Sequence, residues 1–296
     1  MAFERPRTSL DYQTCTYGTS RLQFRGPRPA VDGGYIAFIG GSETYWKFCQ
    51  RPFPDLVGAA LGKPALNLGC LNAGLDVFHD DSAVLEHARR AALRVVQVPG
   101  AQNVTNRLYA VHPRRNDRFL KASRALQQLY AEVDFTEFHF TGHLLSVLYA
   151  RDPGRFAVVA DELRQAWCGR MASFLARIGG PTVILWISKR TPDDAARSWQ
   201  MEPRLVDRAM LAGLSAPGRI FVEAVITPTR ATDLAAMHFD ELEASAAAAM
   251  PGPAAHRAIA ERVVDALPAP WLTQLQKDPP LLQQRDGSKS GLIARV

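Results

Sequence analysis

Apolar residues in this chain gather in five short runs, separated by longer stretches in which they recur every third or fourth position. Residues 35–39, 64–68, 94–98, 182–187 and 219–226 are the runs. Their length and their β-branched and aromatic content predict buried strands. Residues 82–93 place Val84, Leu85, Ala88, Ala91 and Ala92 on one side, the pattern of an amphipathic helix. Helices are also expected from Ser42 through 45–49, over 53–61 with Pro54 in the first turn, over 155–178 and near 204–214. The alanine-rich stretch 234–250 and then 253–267 read as closing helices. Short runs alternating with helical segments imply a three-layer α/β/α domain around a mainly parallel five-stranded sheet, a flavodoxin-like arrangement. Residues 1–34 read as a polar lead-in, 35–267 as the domain, and 105–150 as a polar and aromatic insertion or lid. Residues 268–296, with Pro279-Pro280 and a Gly/Ser/Lys run, read as a C-terminal arm.

Composition narrows the choice of partners. At 296 residues, 47% hydrophobic and 22% charged, the chain suits one large domain. A net charge of +6 permits anionic ligands. No recognition helix, zinc-finger spacing or aromatic-basic motif accompanies it, so nucleic acid is not expected. Cys15, Cys49, Cys70 and Cys168 form no CxxC pair, which favours free thiols in a reducing compartment. No apolar leader core opens the chain and no 18-residue apolar run occurs, so a cytoplasmic protein without a membrane span is expected. Glu137, His139 and His143 have ligand-like spacing but no further partner, so neither a metal nor any cofactor is expected.

The candidate chemistry lies at the strand ends. In open parallel sheets, ligands bind beyond the carboxyl ends of the strands. The first three runs end in small or polar residues: Gly40-Gly41-Ser42, then Gly69 to Gly74, then Gly100 to Asn103. A glycine pair allows a sharp turn and close approach of backbone amides. Ser42 beyond it suits a nucleophile with its oxyanion, an anion site, or a plain helix-capping serine.

This order resembles the SGNH (GDSL-like) hydrolase superfamily, which places a serine after strand one, a glycine after strand two and an asparagine after strand three. Its block Gly-Asp-Ser-x-Thr is similar to Gly40-Gly-Ser-Glu-Thr44, and its Gly-x-Asn-Asp block is similar to Gly100-Ala-Gln-Asn103. The resemblance implies Ser42 as nucleophile, with the Ser42 and Gly74 amides and the Asn103 side chain as oxyanion donors. It covers 35–105 well and 219–267 loosely. Gly41 stands in place of the block's aspartate. In Met250-Pro-Gly-Pro-Ala-Ala-His256, Met250 takes the place of the catalytic histidine, Ala247 that of its aspartate, and His256 that of a second histidine. More narrowly, the chain resembles an alphaproteobacterial family without an assigned activity.

A serine hydroxyl needs a base beside it. His238, with Asp233 or Asp240 to orient it, is the first candidate and His256 the second; a structural histidine is the alternative for each. Arg107, His112, Arg114, Arg115 and Arg118 follow directly on Asn103 and, with Gly41, are the candidate substrate-binding residues. Guanidinium forks suit carboxylate, phosphate or sulfate, and a solvated basic loop is the alternative. The expected function is an ester hydrolase or O-acyltransferase for a polar or anionic acyl ester, such as a sugar or glycan precursor. Two other readings stand beside it. One is a degenerate fold that binds an anion without turnover; the other is a group transferase using the Gly-Gly-Ser turn as a phosphate cradle. The spacing from Gly40 to Lys47 does not fit a P-loop. A small-molecule or carbohydrate substrate is the expected partner, and homo-oligomerisation stays open.

Overall fold

The computed structural model describes residues 10–31, 34–194 and 199–277. Among the described residues, seven strands run in chain order: β1 (Ile36–Gly40), β2 (Ala65–Gly69), β3 (Leu93–Gln97), β4 (Tyr109–His112), β5 (Arg115–Ala122), β6 (Thr182–Ser188) and β7 (Arg219–Val225). Five of them form one parallel sheet in the order β2-β1-β3-β6-β7, so the chain is an α/β protein built on the five apolar runs.

The central strands are buried on both faces, which explains why they read as continuous apolar runs. Ala37, Ile39, Leu66, Leu68, Ile184 and Trp186 face one core, covered by the helices Ser82–Arg90, Thr141–Arg151 and Pro153–Ile178. Ile36, Phe38, Val95, Val183, Leu185 and Ile187 face the other, covered by Phe53–Leu61, Pro253–Asp265 and Ala269–Lys277. The lead-in packs on the first core through buried Tyr17, Leu22 and Phe24. Among the described residues, no helix is long and apolar enough to cross a membrane.

Several elements depart from the expected bounds. The helix opened by Ser42 stops at Tyr45, where Trp46 takes φ +54°. Arg25 explains the stop. Its guanidinium donates to the carbonyls of Trp46, Cys49 (2.8 Å) and Gln50 (2.9 Å), which a continuing helix would have turned toward its own amides. The helix from Ser82 ends at Arg90, because Ala92 N–H turns to Tyr35 O at 2.9 Å as the chain enters β3. Inside the insertion, β4 and β5 pair as an antiparallel hairpin with irregular register, and the expected helix near 204–214 is the short Arg208–Ala212, capped by Asp207. The alanine-rich stretch is broken into Ala231–Ala235 and Ala244–Ala249. Between these pieces, Met237 and Phe239 are buried with Trp46 and Phe48. From Pro268 the chain forms the helix Ala269–Lys277, with Leu275 buried; the rest of the expected arm lies outside the described residues.

Candidate functional site

Parallel pairing brings the carboxyl ends of β1, β2 and β3 to one edge. Gly40 lies opposite Gly69, and Cys70 N–H donates to Gly40 O at 3.0 Å. A Cβ on Gly40 would lie 2.3 Å from Thr44 Oγ1 and 2.5 Å from Gln97 Oε1, so the turn closes only on glycine. Gly41 occupies the cap position of the Ser42–Tyr45 helix, and Ser42 is its first residue. The capping-serine alternative is therefore not realised. Ser42 Oγ instead accepts from the Asn72 amide at 3.0 Å and donates to Asn72 Oδ1 at 3.4 Å.

Gln97, the last residue of β3, holds this turn. Its Oε1 accepts from Gly41 N (3.0 Å) and Thr44 Oγ1 (2.6 Å), while its Nε2 donates to Glu43 Oε2 (2.7 Å). A polar residue at the end of an apolar strand was the signal for it.

Beyond the strand ends opens a cavity of about 380 Å³, lined among others by Gly41, Ser42, Asn103, Asp117, Glu202 and Met250. Asn103 Oδ1 accepts from Thr141 Oγ1 at 2.7 Å, which leaves the amide nitrogen as the donor end of that side chain. Gly74 packs directly on Asn103, where an added Cβ would come within 2.2 Å of its carbonyl oxygen. The Gly74 N–H, however, already donates to Asn116 Oδ1 at 3.1 Å, so this expected oxyanion donor is engaged elsewhere.

Neither candidate histidine lines the cavity. His238 sits on the broken alanine-rich stretch, its backbone N–H on Phe48 O at 2.9 Å. His256 is fully buried. Its Nδ1 accepts from Phe53 N at 3.0 Å, and its ring lies 4.0 Å from that of Trp46, centroid to centroid. Burial, and then the positive charge of Arg25, pull its pKa down to about 3. It is a neutral hydrogen-bond acceptor of the core. The sequence position alone could not reveal this, because the burying partners lie some 200 residues away.

Carboxylates take the place of histidine in the cavity. Glu43, Asp117 and Glu202 all line it. Asp117 Oδ1 is buried with no hydrogen-bond partner among the described residues. Burial raises its pKa in spite of Arg118, Arg115 and His112 nearby. Glu202 is held by Gln102 Nε2 (2.7 Å), the Arg204 amide (3.2 Å) and the Arg204 guanidinium (3.1 Å). Half of its side chain stays open to solvent, but the enclosing walls raise its pKa against the pull of Arg204, and the charge of Glu43 adds to the rise. Glu202 belongs to the polar loop after β6, which no local pattern marked as part of a site. Arg190 anchors that loop: it stacks 4.9 Å from the Trp186 ring and donates to Val206 O at 2.9 Å.

The basic candidates separate. Arg107 is tied to Glu162, Nε to Oε2 at 2.7 Å, and lines neither this cavity nor its neighbour. His112, Arg114, Arg115 and Arg118 instead join Arg21 around a second cleft of about 460 Å³. Among the described residues, no three His, Cys, Asp or Glu side chains gather as metal ligands.

These features define a parallel α/β protein with a serine, an asparagine and three carboxylates around one strand-end cavity. The chain belongs to the family described as a domain of unknown function, DUF6473, which it matches over residues 1–271. It is also similar to the crystal structure of the lipase Lip_vut3 from goat rumen metagenome. That similarity is at 10% identity and a TM-score of 0.41, covering 79% of this chain and 97% of that one. A likeness so distant carries no argument about this chain. No curated protein matches it in sequence.

Proposed function

We propose that this chain is a serine-dependent ester hydrolase or O-acyltransferase, in the manner of the SGNH hydrolases its sequence resembles. The substrate is an acyl ester on a polar molecule such as a sugar. The observation that supports it most is the meeting of Ser42 and Asn103 in one cavity at the ends of the adjacent strands β1 and β3. Ser42 Oγ attacks the acyl carbon. The Ser42 amide, which as the first residue of its helix has no intrahelical acceptor, and the Asn103 side-chain amide hold the oxyanion. The proton passes to a cavity carboxylate, for which Asp117, with an unpartnered oxygen, is the first choice. The tetrahedral intermediate collapses with loss of the alcohol, which takes that proton from the carboxylic acid. Water or an acceptor hydroxyl, deprotonated by the same carboxylate, then takes the acyl group, and the proton returns to Ser42 Oγ.

The test is labelling with a fluorophosphonate, read by intact mass. One adduct on the wild type that is absent from Ser42→Ala supports an activated serine. A folded wild type that takes no adduct refutes the proposal. It would favour a second reading, a binding protein without turnover, which is motivated by Met250 in the cavity wall and the lack of a histidine there. The phosphate-cradle alternative has lost support, since Gly41 N–H is occupied by Gln97 and three carboxylates face the space a phosphate would fill.

A further inference from the structure

The second cleft is assembled from four separated pieces of chain. The lead-in gives Arg21 and Gln23, the end of the serine helix gives Tyr45, and the loop after β2 gives Cys70 and Leu71. The β4–β5 hairpin gives His112, Arg114, Arg115 and Arg118. Among the described residues, its lining contains four arginines and no aspartate or glutamate. Several other arginines of this chain pair with carboxylates: Arg107 with Glu162, Arg155 with Glu132, Arg170 with Asp76 and Arg208 with Asp193. Arg21, Arg114, Arg115 and Arg118 have no ion pair among the described residues.

Like charges drawn into one concavity repel unless an anion joins them. The imidazole of His112 is oriented as well. Its Nδ1 accepts from the amides of Arg114 and Arg115, both at 3.2 Å, so Nε2 carries the ring proton and is a donor.

The cleft and the serine cavity share a wall. Leu71 lines the cleft, while Asn72, whose amide holds Ser42 Oγ, lines the cavity. Arg118 lines the cleft and lies 5.9 Å from the ring of Phe140, which lines the cavity. The two hollows are therefore neighbours across this wall.

We infer that this cleft is an anion subsite that takes a phosphate or diphosphate group of the molecule whose ester reaches Ser42. The inference rests on the proposed reaction for its second half only; the anion site stands on its own geometry. Guanidinium forks bind phosphate oxygens in pairs, and four of them exceed what a single carboxylate can use. A diphosphate ester, of the kind that activates sugars, fits that excess of donors.

The probe is inorganic pyrophosphate, titrated calorimetrically into the wild type, Ser42→Ala, and the triple variant Arg21→Gln, Arg114→Gln, Arg115→Gln, with acetate as a second titrant. All three replaced side chains are exposed and unpaired, and thermal melts check that the triple variant folds. The expected result is saturable binding of pyrophosphate to the wild type and to Ser42→Ala alike. Loss of at least about 100-fold in the triple variant is expected, since each charge-assisted contact is worth roughly tenfold or more. Acetate should bind far more weakly. No binding to the folded wild type, equal binding by the triple variant, or acetate binding as tightly as pyrophosphate would overturn the inference. Because pyrophosphate binding is read without Ser42, a failed labelling of the wild type with intact pyrophosphate binding refutes the catalytic reading and leaves the subsite standing.

Discussion

Two concavities lie on either side of the loop after β2, and they divide the charge of the region between them. Among the described residues, the serine cavity holds Glu43, Asp117 and Glu202 against one arginine, Arg204, while the neighbouring cleft holds four arginines and no carboxylate. Mixed, these groups would have neutralised one another as surface ion pairs worth little. Kept apart, each set retains an unmet electrostatic demand. Carboxylates enclosed by protein hold protons more tightly than free ones: burial raises the pKa of both Asp117 and Glu202, and the charge of Glu43 adds to the rise at Glu202. Unpaired arginines cannot exchange protons at all, but they can fix a phosphate. On the proposed reaction, chemistry belongs to the first hollow and anchoring to the second, with Asp117, which lines the first and feels the arginines of the second, on the boundary.

The largest effect that would test this division is at Ser42. Ser42→Ala should lower turnover of an activated ester by at least about 10³-fold while leaving pyrophosphate affinity unchanged. Loss of both together would merge the two hollows into one site. Next comes Asp117→Asn, for which a fall of about 10²- to 10⁴-fold in kcat is expected if it takes the serine proton. A base must be ionised to act. Its pKa is raised, so the wild-type rate should climb as pH passes through that raised value, and Asp117→Asn should flatten the climb. The same shift runs the other way in stability. Burial favours the protonated carboxyl, so this group's contribution is present below pH 3.8 and is lost as pH rises through the folded pKa. Asp117→Asn should therefore melt no lower than the wild type at pH 7. A clearly lower melt would recast Asp117 as structural.

Asn103→Ala should cost less than the loss of the nucleophile, about 10²- to 10³-fold in kcat with KM little changed, the signature of one missing oxyanion donor. A change confined to KM would show that Asn103 binds substrate instead.

How much of this was legible in the chain differs between the same two hollows. The sheet was readable because β1, β3 and β6 are buried on both faces, and continuous apolar runs follow from that. Ser42 and Asn103 were readable because glycines punctuate the strand ends. The hairpin was not. Its second strand reads Arg-Asn-Asp-Arg-Phe-Leu-Lys-Ala, with charges at half of the positions, and bulged register spoils the alternation that marks a strand. The cleft could not be assembled from sequence either, since Arg21 comes from the lead-in and Arg107, adjacent to the others in the chain, is diverted by Glu162. Glu202 was hidden for a similar reason: besides its neighbour Arg204, it is held by Gln102, a hundred residues away, in a loop that Arg190 anchors.

The smallest expected effect concerns the histidine that the serine cavity lacks. His256 is neutral in the folded protein because burial pulls its pKa to about 3, whereas an unfolded chain protonates it near 6.5. Between those values the unfolded state binds the extra proton, so this contribution to stability is complete above pH 6.5 and is lost as pH falls toward 3. From pH 7 to pH 5 the loss should be about 2 kcal/mol, visible as a lower urea midpoint. His256→Gln keeps an acceptor for the Phe53 amide but cannot take a proton there. It should be less stable at pH 7 through imperfect packing against Trp46 and Phe53, yet flatter between pH 7 and pH 5. It should also still label at Ser42. A folded His256→Gln protein that no longer labels would place the base in the core after all. That result would break the division between a carboxylate cavity that moves protons and a histidine that only holds a helix.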